Sequence, residues 1–243
     1  MDCILSELED HLQAADAAGL AAKLEMVFQP VFELGAGGVV AFEALARFPA
    51  HPDRTTEECF AAAAGAGESV ALELAAVRAA LEHLHELPDG VLLSVNVSAE
   101  AAVTAQFHEL AAPVANRLII ELTEHEPVHD YRQVAAALSE LRNRGARLAI
   151  DDVGAGYASL RHILQLAPDI VKLDLSLTRE IESDSSRRAL TTALVGFAEV
   201  IGSTIAAEGI ESEAELAMLR ELGVVQGQGF HLGYPLPLAE RLQ

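Results

Sequence analysis

Short apolar segments alternate along the chain with longer segments in which apolar residues recur every three or four positions. The short segments predict strands over residues 26–33, 39–48, 91–98, 117–124, 147–152, 169–176, 203–210 and 224–230. Between them, apolar stripes over 70–84, 131–141 and 190–201 predict amphipathic helices. Ser212 and Glu215 have the spacing of a capping box, which predicts the start of a further helix.

This order of elements predicts an α/β fold, a TIM-type (β/α)8 barrel. The strands are apolar nearly throughout, as expected for a sheet that is covered on both faces. The first two are separated by only residues 34–38, which is too short for a helical crossover, so we expect an antiparallel first strand. Residues 1–22 are predicted to form an N-terminal helical extension, and 23–243 the barrel.

Polar side chains are predicted at the carboxyl ends of these strands, where a TIM barrel has its active site. They are Glu43, Asn96, Glu121, Asp151, Asp152, Lys172, Asp174, Glu208 and Gln228. Side-chain direction repeats every two residues, so Glu43 and Arg47 share one side of their strand, and Lys172 and Asp174 share one side of theirs. A structural ion pair would explain one buried charge, whereas charges on so many strands indicate a functional site.

The predicted site offers only hard oxygen donors. They are the carboxylates of Glu43, Glu121, Asp151, Asp152 and Glu208 and the amide of Asn96. This donor set favours Mg²⁺ or Mn²⁺ over zinc. Two such cations ~3.5–4 Å apart would relieve the repulsion between adjacent carboxylates and suit in-line hydrolysis of a phosphate ester. Because Ca²⁺ prefers longer bonds and more ligands, we expect it to bind and to inhibit.

Three further side chains receive roles from their chemistry. Lys172 would orient the attacking water or take its proton. Arg47 could hold a non-bridging phosphate oxygen with its guanidinium. Asp174, predicted beside Lys172, is assigned to substrate contacts.

Composition and charge narrow the class of partner. The 243 residues are 51% hydrophobic, which is ample for a large core, and the formal net charge is −21. Such a charge repels nucleic-acid backbones and anionic membrane surfaces, so we expect no DNA, RNA or membrane contact by this domain. The sequence contains no leader pattern and no long charge-free apolar run, so we expect a cytoplasmic protein.

Eight motifs, in order, resemble those of the EAL-domain phosphodiesterases, which linearise cyclic di-GMP in bacterial second-messenger signalling. They are FQPVF (28–32), EALAR (43–47), SVNVS (94–98), IIELTE (119–124), AIDDVGAGYASL (149–160), VKLDLSL (171–177), AAEGIES (206–212) and QGFHLGYP (228–235). The resemblance covers roughly residues 24–240. It implies a barrel with an antiparallel first strand, a two-metal phosphodiesterase that produces linear pGpG, and a homodimer.

The resemblance also assigns residues. It implies metal ligands at Glu43, Asn96, Glu121, Asp151, Asp152 and Glu208, of which Glu43 and Asp151 also count as catalytic, and a Lys172 that acts on the attacking water. Gln228 would lie close to that water, and Glu211 would support the site. Glu124 would hold the loop after Asp152, and Gln29 and Arg47 match ligand-contacting positions.

One loop departs from the family pattern. Val153, Ala155 and Ala158 stand where the family usually has Phe, Thr and Ser. That loop is expected to link the metal site to dimerisation and regulation, so the departures concern control more than chemistry. The alternative function is a catalytically silent cyclic di-GMP receptor or protein-interaction module. The complete set of acidic ligands and Lys172 favours the enzyme, because a receptor has no need for clustered, mutually repelling carboxylates.

Overall fold

The computed structural model describes residues 17–123, 128, 130–154 and 158–241. Its strands close into a barrel in chain order. They are β1 (Glu25–Glu33), β2 (Val39–Arg47), β3 (Leu92–Val97), β4 (Leu118–Leu122), β5 (Arg147–Val153), β6 (Ile170–Leu173), β7 (Thr204–Ala207) and β8 (Gln226–Gly227). β1 is antiparallel to both of its neighbours, and the other pairs are parallel. The predicted TIM-type barrel with an antiparallel first strand is confirmed.

Helices cover the outside of the barrel. They are α1 (Ala17–Ala21), α2 (Thr56–Gly65), α3 (Ser69–Glu82), α4 (Ala99–Ala102), α5 (Ala105–Ala111), α6 (Tyr131–Asn143), α7 (Ala158–Leu166), α8 (Leu175–Thr178), α9 (Ser185–Ile201), α10 (Glu213–Glu221) and α11 (Leu238–Arg241). The three predicted apolar stripes lie on α3, α6 and α9, and the predicted capping box begins α10. None of the described helices combines the length and the apolar composition that crossing a bilayer requires.

The barrel separates two apolar regions. Outward-facing strand residues such as Leu118 and Ile150 pack against the helices in the larger core. The inner side near the amino ends of the strands is filled by a smaller cluster of apolar side chains: Val31, Ala41, Ile119, Ala149, Ile170 and Ala206. Two positions away on each of these strands, toward the carboxyl ends of the parallel strands, the inward-facing residue is polar. The packed lower layer therefore supports a polar layer at the carboxyl end of the barrel.

Several strands end earlier than predicted, and the last three each end three residues early, β7 at Ala207 instead of residue 210. The prediction that the sixth strand runs to residue 176 is wrong, because Asp174 accepts a hydrogen bond from Ser176 N at 2.9 Å and starts α8. The eighth strand was predicted over 224–230 but covers only Gln226–Gly227. Its chain continues close against the exit of β7, where a Cβ on Gly229 would lie 2.2 Å from the backbone of Ile210.

The predicted N-terminal extension is described only from residue 17. Leu20 of α1 is fully buried in a small cluster with Ala46 and Phe48 at the end of β2 and with Leu72 of α3. Residues 1–16 lie outside the described residues, and the boundary at residue 22 stays a prediction.

Candidate active site

Strand register brings the predicted polar residues to one level inside the barrel. Gln29 pairs with Glu43 across β1 and β2, and Glu43 pairs with Ser94 of β3. Asn96 pairs with Glu121 of β4. The parallel strands present their carboxyl ends at the same mouth, so residues that are far apart in sequence converge there.

Lys172 on β6 occupies the centre of this polar layer. Its ammonium Nζ lies 2.6 Å from Glu121 Oε2, 2.8 Å from Glu208 Oε1, 3.2 Å from Asp151 Oδ1 and 3.5 Å from Glu43 Oε2. The lysine side chain is only 4% exposed. One buried cation therefore joins carboxylates from four different strands or strand ends.

Neutral donors complete the hydrogen bonding of the deeper carboxylates. Gln228 donates from Nε2 to Glu43 at 2.5 Å and to Glu208 at 3.0 Å. Asn96 donates from Nδ2 to the other oxygen of Glu43 at 3.0 Å. The amide oxygen Oδ1 of Asn96 takes no part in that bond. Gln228 Oε1 is buried and has no hydrogen-bond partner among the described residues.

Ser94 is a site residue that the motif analysis missed. Its hydroxyl donates a short hydrogen bond to Glu121 Oε1, and the side chain is fully buried. The signal was present in the sequence, because Ser94 precedes Asn96 by two residues and therefore faces the same side of β3. A hydroxyl in an otherwise apolar strand requires a partner.

The crowded carboxylates differ in acidity. Burial, together with the charge of Glu43, raises the pKa of Glu121 well above its ordinary value. Burial also raises the pKa of Glu208, to about 8. Burial opposes ionisation of Glu43 as well, but the Lys172 charge and the two amide donors lower its pKa below the ordinary value. The site therefore carries more carboxylate groups than one lysine can compensate.

Lys172 is held in its charged form by the same contacts. Burial lowers the pKa of its ammonium, but the four surrounding carboxylates together raise it well above its ordinary value. In this arrangement the ammonium of Lys172 donates hydrogen bonds to the surrounding carboxylates.

Asp151, Asp152 and Glu208 form the more accessible part of the site. Each offers one carboxylate oxygen, and these three oxygens lie within 4.8 Å of one another. Asp152 has a φ of 55°, a conformation that aspartate adopts more readily than most residues, and its N–H donates to Asp151 Oδ1 at 3.0 Å. The sharp backbone turn lets two consecutive carboxylates contribute to one cluster.

The residues present fit divalent cations. All the ligand atoms are oxygen. Glu43 and Glu121 lie deep in the barrel, and Asp151, Asp152 and Glu208 are more accessible. The number of carboxylates exceeds the single positive charge of Lys172. Among the described residues, the cluster contains no histidine or cysteine. Hard cations such as Mg²⁺ or Mn²⁺ suit this donor set better than zinc does.

The remaining predicted residues lie around this centre. Gln29 is buried and donates to Gly233 O at 3.1 Å, and Arg47 donates to Ala46 O at 2.7 Å. Asp174 caps α8 and is not among the described partners of Lys172, so the prediction that it lies beside Lys172 on a strand is corrected. Glu211 pairs with Arg179 at 2.9 Å. Glu124 and Ala155 lie outside the described residues.

Glu215 is another residue, besides Ser94, that the sequence analysis did not assign to the site. It joins the loops that follow β6 and β7. Glu215 on α10 accepts hydrogen bonds from the backbone N–H groups of Glu180, Glu211 and Ser212 at 2.8–2.9 Å. Together with the Arg179–Glu211 ion pair, it connects the chain after Lys172 to the chain after Glu208.

Two exposed aromatic side chains follow Gln228 at the exit of β8. Phe230 and Tyr234 stack with their ring centroids 4.7 Å apart and an interplanar angle of 19°. They are 49% and 59% exposed. Exposed aromatic faces of this kind can stack on planar ligands.

The EAL domain family model matches residues 11–235. The chain therefore belongs to the EAL domain family. It is 30% identical over 231 residues to the cyclic di-GMP phosphodiesterase NbdA of Pseudomonas aeruginosa, a match that covers 89% of this chain and 29% of NbdA. The chain spans about a third of the length of the curated relatives that it matches over most of its own length.

Solved structures agree with this assignment. The structure titled PaMucR phosphodiesterase, c-di-GMP complex, is 28% identical with a TM-score of 0.81, and the match covers 97% of this chain and 99% of that one. Klebsiella pneumoniae BlrP1, in a manganese/cy-diGMP complex, is 29% identical with a TM-score of 0.76, over 88% of this chain and 56% of that one.

Proposed function

We propose that this chain is a phosphodiesterase that hydrolyses cyclic di-GMP to linear pGpG with two divalent cations. The observation that carries the proposal is the convergence of Lys172, its four carboxylate partners and Asp152 at the carboxyl mouth of the barrel. The relatives named as cyclic di-GMP phosphodiesterases and the neighbouring structures that contain cyclic di-GMP support the choice of substrate.

The reaction opens one of the two 3′–5′ phosphodiester bonds. A water oxygen forms a bond to phosphorus, the bond from phosphorus to the 3′-oxygen breaks, and the leaving oxygen takes up a proton. The product is linear and keeps a 5′-phosphate. When bound, divalent cations would polarise the phosphate and lower the pKa of the attacking water.

The residues of the chain divide the remaining tasks. Glu43, Asn96, Glu121, Asp151, Asp152 and Glu208 would hold the two cations. Lys172, charged and fixed by its carboxylate partners, positions the attacking water by donating a hydrogen bond to its oxygen. Gln228 Oε1, which has no hydrogen-bond partner among the described residues, is suited to accept a hydrogen bond from that water.

Substrate contacts are proposed around the rim. Arg47 would bind a non-bridging phosphate oxygen, and Gln29 would contact the ligand at the level of Glu43. The exposed stack of Phe230 and Tyr234 offers a flat surface to a guanine base. Glu211, paired with Arg179, and Glu124 keep their proposed supporting roles, whereas Asp174 is proposed only to shape the rim by capping α8.

We also propose that two copies of the chain associate. On α7, Leu160 and Leu164 are four residues apart and face the same side of the helix. They are 48% and 69% exposed. α7 begins at Ala158, one of the family departures, and comes soon after the other two, Val153 and Ala155. Association through α7 would therefore involve a helix that follows Asp151 and Asp152 closely in the chain.

The test is hydrolysis with a matched pair of variants. The pure protein is incubated with cyclic di-GMP in Mg²⁺, Mn²⁺ or Ca²⁺, and the products are separated by chromatography. We expect pGpG in Mg²⁺ and Mn²⁺, and binding without turnover in Ca²⁺. Asp151→Asn should lower the rate at least ~100-fold because it removes a ligand charge. Asp89→Asn, which changes an exposed aspartate before the amino end of β3, away from the strand ends that carry the cluster, should not.

A parent protein that binds cyclic di-GMP but does not cleave it in any of the three cations would contradict the proposal. The silent receptor would then be the better description of the chain. Equal turnover in Ca²⁺ and Mg²⁺ would contradict the requirement for strict cation geometry.

A further inference from the structure

The ammonium of Lys172 contacts the same carboxylate groups that the proposed function assigns to divalent cations. The bonds to Glu121 and Glu208, at 2.6 and 2.8 Å, are short charge-assisted hydrogen bonds, and the contacts with Asp151 and Glu43 are longer. An ammonium has three protons to share among these four carboxylates. The lysine is therefore at its full capacity in this arrangement.

In their ionised form these carboxylates repel one another unless a positive charge lies between them. The side chains of Glu43 and Glu121 are only 7% and 3% exposed, so water screens their repulsion poorly. They belong to β2 and β4, while Asp151 and Glu208 come from β5 and the end of β7. Removing one partner from a buried ion pair leaves an uncompensated charge and is strongly destabilising. Lys172 thus connects one side of the barrel to the other.

We propose that Lys172 has a second role as the resident cation of the barrel. When divalent ions are scarce, its ammonium keeps the carboxylates of four strands assembled. When divalent ions bind, the ammonium gives up part of its contacts, because the same oxygens cannot serve both cations at full strength. The inference rests on the proposed function only in assuming that these carboxylates bind divalent cations, and it does not require hydrolysis.

The sequence provides a matched control. Lys23 and Lys172 are the only lysines in the chain, and Lys23 is exposed. Lys172→Met keeps the length of the aliphatic stem and removes the charge, and Lys23→Met makes the same chemical change on the surface. A difference between the two variants therefore reports the location of Lys172 and not the loss of one positive charge.

Thermal unfolding of the full chain tests the first half of the proposal. In EDTA we expect Lys172→Met to lower the unfolding temperature by on the order of 10 °C, and Lys23→Met to leave it within about 1 °C. In saturating Ca²⁺ the deficit of Lys172→Met should shrink by more than half, because Ca²⁺ then supplies the missing charge. Calorimetric titration should show Ca²⁺ binding about 10-fold more tightly to Lys172→Met than to the parent.

A measurement on the parent protein keeps the proposal testable even if Lys172→Met does not fold in EDTA. Protein labelled with ¹⁵N-lysine has two side-chain ammonium groups, and the buried one should exchange its protons more slowly. Adding Ca²⁺ should shift the Lys172 Nζ resonance and speed its exchange with water, whereas the Lys23 resonance should stay in place.

The outcomes separate this inference from the proposed function. An unfolding temperature of Lys172→Met equal to that of the parent in EDTA would overturn the stabilising role. A Lys172 resonance that does not respond while calorimetry shows Ca²⁺ binding would overturn the competition, even if the parent hydrolyses cyclic di-GMP. If thermal unfolding and the Lys172 resonance both behave as expected but the parent does not hydrolyse cyclic di-GMP, only the proposed function is overturned.

Discussion

Asp151 and Asp152 are adjacent in sequence but have different surroundings in the site. Asp151 is bonded to Lys172 and accepts the N–H of Asp152, while Asp152 turns into a positive φ and reaches the accessible part of the cluster. The two adjacent carboxylates therefore have different tasks. The backbone conformation at one position allows both to contribute to the same site.

Arg47 should contribute to substrate binding without affecting the cations. Arg47 lies at the end of β2, on the same side of the strand as Glu43. Burial lowers the pKa of the Arg47 guanidinium, and the negative charge of Glu43 partly opposes this shift. We expect Arg47→Ala to weaken cyclic di-GMP binding about 10-fold or more, because a charge-assisted contact with phosphate is lost. Calorimetry in Ca²⁺ measures this effect, and a parallel titration with Ca²⁺ alone should match the parent. Loss of Ca²⁺ affinity would show that Arg47 has been placed wrongly.

Ser94 should affect cation affinity although it is not itself a ligand. Its hydroxyl holds one oxygen of Glu121 while Lys172 holds the other, so the carboxylate is fixed from two sides. We expect Ser94→Ala to lower Mn²⁺ affinity about 10–100-fold, the usual effect of removing a partner of a ligand.

Ser203→Ala is the matched control for this prediction. Ser203 precedes β7, and its hydroxyl donates to Pro168 O at 2.7 Å, near the amino ends of the strands. Calorimetric titration with Mn²⁺ compares the two variants. Equal affinities would mean that Lys172 and strand geometry alone orient Glu121.

At the scale of elements, strand alternation made most of the site predictable. A period of two residues places Glu43, Asn96, Glu121 and Lys172 on the inner face once their strands are recognised. The same rule would have found Ser94. It could not identify the partners of Lys172, because Glu43 is 129 positions away in the chain and the contact depends on barrel closure.

The sequence predicted which segments form strands better than it predicted where each strand ends. Residues 169–176 read as one continuous strand, but Asp174 satisfies the backbone of the next helix more readily than it extends a ladder. The bond from Glu180 N–H to Glu215 and the ion pair between Arg179 and Glu211 join loops that touch only in the folded protein. Local sequence patterns carry no information about such contacts.

Glu215 should make the stability of the protein depend on pH through its loop contacts. Burial raises the pKa of its carboxyl, but three backbone N–H groups and Ser212 bring it below the ordinary value. A lowered folded pKa means that the stabilisation is complete above the unfolded pKa of about 4.3 and is lost as the pH falls through the folded value. We expect Glu215→Gln to lower the unfolding temperature at pH 7 by on the order of 5 °C.

The difference between Glu215→Gln and the parent should diminish as the pH falls below about 4.3, the unfolded pKa of glutamate. Unfolding followed by circular dichroism from pH 3 to pH 7 measures it. Glu221→Gln, an exposed change on the same helix, controls for the altered net charge. A deficit that stays constant across this pH range would indicate a loss of packing rather than of carboxylate hydrogen bonds.

At the scale of the whole molecule, the net charge of −21 works against the binding of an anionic dinucleotide and against self-association. The divalent cations would correct the first of these effects locally, inside the barrel mouth. The second must be offset by apolar surface. Leu160 and Leu164 on α7 provide such surface, and both are more exposed than leucine usually is.

The proposed homodimer should therefore depend on α7 and on ionic strength. We expect Leu164→Glu to weaken association at least ~10-fold, because it replaces buried apolar area with a charge in an already acidic assembly. Val200→Glu introduces the same charge at an apolar residue of α9 that is 86% exposed, and it should leave association unchanged.

Raising the salt concentration from 50 to 300 mM should strengthen association of the parent, since repulsion between like-charged copies is screened. Gel filtration with light scattering, repeated over a range of protein concentrations, measures all three effects. A parent that stays monomeric at high salt, or a Val200→Glu variant that dissociates as readily as Leu164→Glu, would contradict an interface on α7.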